Sequence, residues 1–121
     1  MAHILLVDDD EACRKVLRRT LQRAGYIVTE AMNGAVALRL LRDASVDLVV
    51  TDIIMPEMEG IETIQTLRRT HPQLKIIAMS GGGRIEAEGY LASAKAFGAV
   101  DVLRKPFEAA ELFAAIEGAL R

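Results

Sequence analysis

The chain is predicted to be an α/β domain, a doubly wound parallel sheet of five strands with helices on both faces, in the arrangement (βα)5. Three observations lead there. Its 121 residues, 51% hydrophobic and 26% charged, have the size and balance of one globular domain. Four short apolar runs are near-continuous rather than alternating, the pattern of strands buried on both faces. Between them the apolar period lengthens to that of helices, and alternation of strand with helix implies right-handed crossovers into a parallel sheet. Five units are too few for an eight-fold barrel. An open sheet remains, in the common order 2-1-3-4-5, with ligands held beyond the carboxyl ends of the strands near the switch point between strands one and three.

The first run is His3-Ile4-Leu5-Leu6-Val7. A helix from Glu11 to Ala24 follows, with Ala12, Val16, Leu17, Leu21 and Ala24 on one face and Gly25 placed as its C′ stop. Tyr26-Ile27-Val28-Thr29-Glu30 is weaker and more polar, as an edge strand would be. Asn33 is a good N-cap for a second helix carrying Val36, Leu40 and Leu41. Val46 to Thr51 is the third strand, and Ile61, Ile64 and Leu67 mark a third helix ended at the His71-Pro72 break. Leu74 to Met79 is the fourth strand. Tyr90, Leu91, Ala94 and Phe97 suggest a helix closed by Gly98, Val100 to Leu103 the fifth strand, and Leu112, Ala115, Ile116 and Leu120 the last helix.

Fifteen Lys+Arg against seventeen Asp+Glu give a net charge of -2 with both signs scattered, so no basic field offers itself to nucleic acid. One cysteine cannot form an internal disulfide, and the amino-terminal apolar run meets acid after five residues, too short for a signal peptide, so a reducing cytoplasm is the expected compartment. No run approaches the roughly 20 apolar residues that cross a bilayer, and no membrane partner is expected.

The chemistry concentrates at the predicted strand ends. Strand one runs into Asp8, Asp9 and Asp10, and strand three into Asp52. In the proposed order these ends are neighbours, so at least three carboxylates should meet. Two unit charges about 5 Å apart at an effective dielectric near 20 repel by roughly 3 kcal/mol, which calls for a cation. With oxygen ligands only, Mg²⁺ is the expected ion. Asp10 by itself reads as a helix N-cap. Ser80 and Lys105, at the ends of strands four and five, belong at the same rim, where a hydroxyl and an ammonium could hold phosphoryl oxygens.

Asp8-Asp9 after ILLV, Asp52 in TDIIMPEMEG, Ser80 after IIAM and Lys105-Pro106-Phe107 after VLR together resemble the receiver domain of two-component response regulators. The resemblance covers the whole chain and implies a single receiver domain over residues 1–121, flavodoxin-like in fold and similar to stand-alone chemotaxis regulators. It implies that Asp52 accepts a phosphoryl group from a histidine kinase or histidine phosphotransfer protein, and that the phosphorylated form signals to a downstream protein target. By the same resemblance Asp9 and Asp52 ligate Mg²⁺ directly, Asp8 through water, and the backbone carbonyl of Ile54 is a third protein ligand. Ser80 and Lys105 would contact the phosphoryl oxygens, and the Lys105-Pro106 bond would be cis. Such a chain catalyses only its own modification and is a switch rather than an enzyme.

One position departs from the family pattern. Val102 stands where many members carry an aromatic residue that changes rotamer on activation, and it has no ring to swing. Gly81-Gly82-Gly83 lacks the Gly-Lys-Ser/Thr of a phosphate-binding loop and reads as a flexible loop. Cys13 reads as an ordinary helix thiol, and His3 and His71 as structural or solvated. Two other readings compete. A haloacid-dehalogenase-type phosphatase also uses a strand-end Asp, but its second Asp two residues on is Ile54 here. A phosphorylation-independent interaction module is opposed by the intact set of Asp8, Asp9, Asp52, Ser80 and Lys105.

Overall fold

The computed structural model describes residues 2–53, 59–81 and 94–121. The elements run β1 (His3–Val7), α1 (Glu11–Arg23), β2 (Ile27–Ala31), α2 (Gly34–Asp43), β3 (Leu48–Asp52), α3 (Glu59–Thr70), β4 (Lys75–Gly81), helical residues 94–96 as α4, β5 (Asp101–Lys105) and α5 (Ala109–Leu120). The sheet has five strands in the order β2-β1-β3-β4-β5, every pairing parallel, as predicted.

Residues one apart in a strand point to opposite faces, and this sorts the apolar runs into two cores. Ile4 and Leu6, Leu48 and Val50, Ile77 and Met79 pack with Leu21 of α1 and with Leu112, Ala115 and Ile116 of α5. Their neighbours Leu5 and Val7, Val49, Ile76 and Ala78 pack with Ala37 and Leu41 of α2 and with Ile61, Ile64 and Leu67 of α3. Two-sided burial explains why these strands carry almost no polar alternation.

Helix punctuation follows the sequence. Asp10 caps α1, its Oδ1 accepting from the Cys13 N–H at 3.1 Å, and Asn33 caps α2 by accepting from the Val36 N–H at 2.8 Å. Gly25 and Gly98 adopt φ of 98° and 123°, the left-handed conformation that glycine enters without a Cβ penalty. At Gly98 the Arg68 guanidinium also closes in, donating to the carbonyls of Pro72, Leu74 and Gly98 at 2.6, 3.0 and 3.0 Å. That clamp lies at the sheet's amino-terminal rim, away from the acidic residues.

Two details differ from the sequence expectation. Strand ends shift: β2 and β3 close on Ala31 and Asp52, and β4 and β5 run on to Gly81 and Lys105, because ladder pairing continues past the apolar run, with Asp52 opposite Met79 and Gly81 opposite Lys105. The inward face of α1 is also rotated. Ala12, Ala24 and Val16 are exposed, Val16 by 61%, while Leu17 and Leu21 face inward as expected and are joined there by Cys13 and the stems of Arg14 and Arg18. A guanidinium on a long apolar stem can cover a core edge while its head finds polar partners, so polarity alone misassigns such positions. Tyr90 and Leu91, expected on the fourth helix, lie outside the described residues.

Candidate functional site

Because every strand is parallel, all five carboxyl ends meet one rim. Beyond β1, the Asp8 N–H donates to the Ala31 carbonyl at 3.1 Å, extending the β1–β2 ladder by one residue. The Asp8 side chain then accepts from the Asp10 N–H at 2.9 Å, a turn that hands the chain to its N-cap and starts α1. β3 delivers Asp52 as its last residue, β4 carries Ser80 as its penultimate one, and β5 ends in Lys105. The register places Gly81 opposite Lys105, so Ser80 and Lys105 are near neighbours across the β4–β5 ladder.

Lys105 ties the rim together. Its Nζ donates to Asp8 Oδ2 at 2.9 Å and to Asp52 Oδ2 at 3.2 Å. The Asp8 side chain is fully buried and the Lys105 side chain only 19% exposed. Burial works against the ammonium, but the Asp52 and Asp8 carboxylates outweigh it and hold the Lys105 pKa above its ordinary value. One carboxylate oxygen from each of Asp8, Asp9 and Asp52 lies within 4.8 Å of the other two. Asp8 and Asp52 are buried and Asp9 is exposed, which leaves the cluster open to solvent on one side.

Three carboxylates against one ammonium leave a formal excess of two negative charges. The donors are all oxygens, the ligand class of a hard divalent cation. Ser80 adds a second feature: it is fully buried, and its Oγ has no hydrogen-bond partner among the described residues. A buried hydroxyl without a partner costs about 1–3 kcal/mol, so it marks a place where a polar ligand atom would be welcome. The rim can therefore offer a carboxylate nucleophile, a cation site and two donors, Ser80 Oγ and Lys105 Nζ.

The sequence profile of the response regulator receiver domain matches residues 4–117. The chain belongs to that family. It is 40% identical over its full length to the transcriptional regulatory protein CpxR of Escherichia coli, and 36% identical over 98% of its length to the DNA-binding transcriptional regulator NtrC of Azospirillum brasilense. It is 40% identical over 92% of its length to the sensor kinase CckA of Brucella abortus. It spans half of CpxR, 24% of NtrC and 12% of CckA. Among solved structures, the receiver domain of NtrX from Brucella abortus superposes with a TM-score of 0.88 at 32% identity, covering 97% of each chain. A CheY-like receiver domain protein from Methanospirillum hungatei superposes at 0.85 with 28% identity, covering 99% of this chain and 94% of that one.

Within this receiver domain, the structure brings together Asp8, Asp9, Asp52 and Lys105 and sets Ser80 beside them, while Ile54, Gly82 and Gly83 lie outside the described residues. The Lys105-Pro106 bond is cis. Val102 is half-buried, pairs with Ala78 and packs against the α2–α3 core. His3 is engaged at the opposite rim, its Nε2 2.6 Å from Thr29 Oγ1.

Two residues near the site escaped sequence reasoning. Cys13, read as an ordinary thiol, lies beside Asp8 and Lys105 and lines a cavity of about 420 Å³ with Val16, Leu17 and Phe107. Burial pushes its pKa up, Lys105 pulls it down and Asp8 raises it. Arg14, one of five basic residues in α1, donates from Nη1 to the Asp8 carbonyl at 2.7 Å. Neither could be found from spacing, because both depend on how α1 is rotated against β1.

Proposed function

We propose that this receiver domain is a phosphorylation-activated switch in which Asp52 accepts a phosphoryl group from a histidine kinase or histidine phosphotransfer protein. The supporting observation is the three-strand convergence: buried Asp52 and Asp8 share the Lys105 ammonium, with the buried Ser80, whose hydroxyl has no partner among the described residues, on the adjacent strand. Asp8, Asp9, Asp52 and the backbone carbonyl of Ile54 would hold Mg²⁺, which would supply charge neutralisation for the phosphoryl oxygens.

The Asp52 carboxylate needs no base at neutral pH. A lone pair on one Asp52 oxygen forms the O–P bond while the electrons of the breaking N–P bond return to the donor imidazole. Lys105 Nζ and Ser80 Oγ donate to the phosphoryl oxygens, so most of the catalysis is positioning and electrostatics. Satisfying Ser80 draws its backbone toward the new anion, and this biases a pre-existing two-state equilibrium. With Val102 in place of an aromatic, the change would reach the surface through the segment after Ser80. The receiver domain signals through contacts with a downstream protein in the cytoplasm and turns over no separate substrate. It makes no direct contact with nucleic acid or membrane; no helix among the described residues is long and apolar enough to cross a bilayer.

The test is incubation with a small phosphodonor and Mg²⁺. One phosphate per chain should be incorporated, abolished by Asp52→Ala and by EDTA. Equal labelling of Asp52→Ala refutes the assignment, and absence of labelling in the unaltered protein favours an interaction module that works without phosphorylation.

A further inference from the structure

The three carboxylates differ in what holds them. Asp8 and Asp52 are tied to Lys105, whereas the exposed Asp9 carboxylate makes no hydrogen bond among the described residues. Its direction rests on the backbone. The Asp8 carbonyl and the Asp9 N–H belong to one planar peptide, so whatever holds that carbonyl sets ψ of Asp8 and φ of Asp9 together.

Arg14 holds it. The residue sits in the first turn of α1, its N–H donating to the Asp10 carbonyl at 2.9 Å. Its side chain turns back toward the helix amino terminus, as long helical side chains do. Nη1 donates to the Asp8 carbonyl at 2.7 Å, and Nε to Glu30 Oε1 at 3.0 Å. Glu30, the penultimate residue of β2, is fixed in turn by Arg18, whose Nη1 donates to Oε2 at 2.7 Å. The Arg14 side chain is only 14% exposed and Glu30 23%, so the clamp is largely shielded from water.

We infer that Arg14 is a positioning residue for the cation site: anchored by Glu30, its guanidinium orients the Asp8–Asp9 peptide so that Asp9 faces Asp8 and Asp52. The inference rests on the reading of the site as a Mg²⁺ and phosphoryl site. Arg18 is a built-in comparison, since it shares Glu30 but makes no hydrogen bond to the Asp8 peptide among the described residues.

Positioning and plain electrostatics predict opposite signs. Removing a positive charge near an acidic cluster strengthens cation binding, whereas releasing the Asp8–Asp9 peptide weakens it. Mg²⁺ affinity is measured by titration calorimetry on the unaltered protein, Arg14→Ala, Arg14→Lys and Arg18→Ala, each melted in parallel to verify folding. Loss of one charged hydrogen bond from the site's frame should raise the Kd of Arg14→Ala about ten-fold. Arg14→Lys, which keeps one donor for the Asp8 carbonyl, should recover part of that loss, and Arg18→Ala should bind as tightly as the unaltered protein or more so. In the cation-free protein, Arg14→Ala should shift the Asp9 amide resonance where Arg18→Ala does not. Unchanged or tighter Mg²⁺ binding by Arg14→Ala overturns the inference, as does equal weakening by both alanine variants. Should Arg14→Ala fail to fold, Arg14→Lys decides: its Kd should rise above that of Arg18→Ala, and the reverse order overturns the inference. No Mg²⁺ binding by the unaltered protein removes the reading of the site itself, and this inference with it.

Discussion

Replacing Lys105 with methionine keeps the length and apolar stem of the side chain but removes the ammonium that bridges the Asp8 and Asp52 carboxylates. At 2.9 and 3.2 Å and an effective dielectric near 20, each contact carries about 5 kcal/mol of Coulomb energy, much of it offset by desolvation. The net cost follows from what is left behind, two buried carboxylates that have lost the ammonium they share. Removing one partner of a buried ion pair costs about 3 kcal/mol or more. At an unfolding entropy of about 2.1 cal/mol/K per residue, the 121 residues give about 0.25 kcal/mol/K, so Lys105→Met should lower Tm by about 12 °C in EDTA at pH 7. The sign with pH is fixed by the raised Lys105 pKa: the stabilisation is fully present below the ordinary lysine value and is lost as pH climbs through the higher folded-state value. The deficit of the variant should therefore be undiminished at pH 7 and should shrink in strong alkali, where the unaltered protein also loses the charge. Mg²⁺ should narrow it, because the variant's cluster is more negative and binds the cation more tightly. The assay is thermal unfolding followed by circular dichroism. A variant that melts within about 3 °C of the unaltered protein in EDTA, or a gap that widens on adding Mg²⁺, would refute the account of Lys105 as the internal counterion.

Three further outcomes are expected. Gly98→Ala should destabilise by about 2 kcal/mol, since φ is 123° and a Cβ would come within 2.7 Å of Arg68 Nε, and a Tm equal to that of the unaltered protein would contradict the clamp. Gly118→Ala, in the last turns of α5 with nothing within 4 Å of the added carbon, should stabilise by about 0.7 kcal/mol; denaturant titration showing a loss would refute that. Alkylation of Cys13 at pH 8 should be slower than that of a free cysteine because burial raises its pKa, and faster again in Asp8→Asn, which takes away a charge that opposes the thiolate; slower labelling of Asp8→Asn would show that Asp8 does not bear on the thiol.

The sequence by itself determined the architecture and the membership of the rim. Near-continuous apolar runs such as Ile4 to Val7 and Leu48 to Val50 can be satisfied only by burial on both faces, and that demand is met by a parallel sheet between two helix layers. Parallel strands share one carboxyl rim, so Asp8, Asp52, Ser80 and Lys105 could be placed together from their positions at the run ends alone. The caps Asp10 and Asn33 were legible for a similar reason, since a side chain that bonds a backbone N–H three residues on is a local device. What depends on contacts between elements was not legible. Strand ends such as Gly81 and Lys105 are set by ladder pairing, which continues after apolarity stops. Rotation of α1 against β1 and β2, decided by side-chain packing rather than by helical period, turned Val16 outward and brought Cys13 and Arg14 to the site. Ionic partnership is the furthest from the sequence: that Lys105 bridges Asp8 and Asp52, and that Arg14 grips the Asp8 carbonyl while held by Glu30, follows from distances of about 3 Å between residues up to 97 positions apart, which only the tertiary structure fixes.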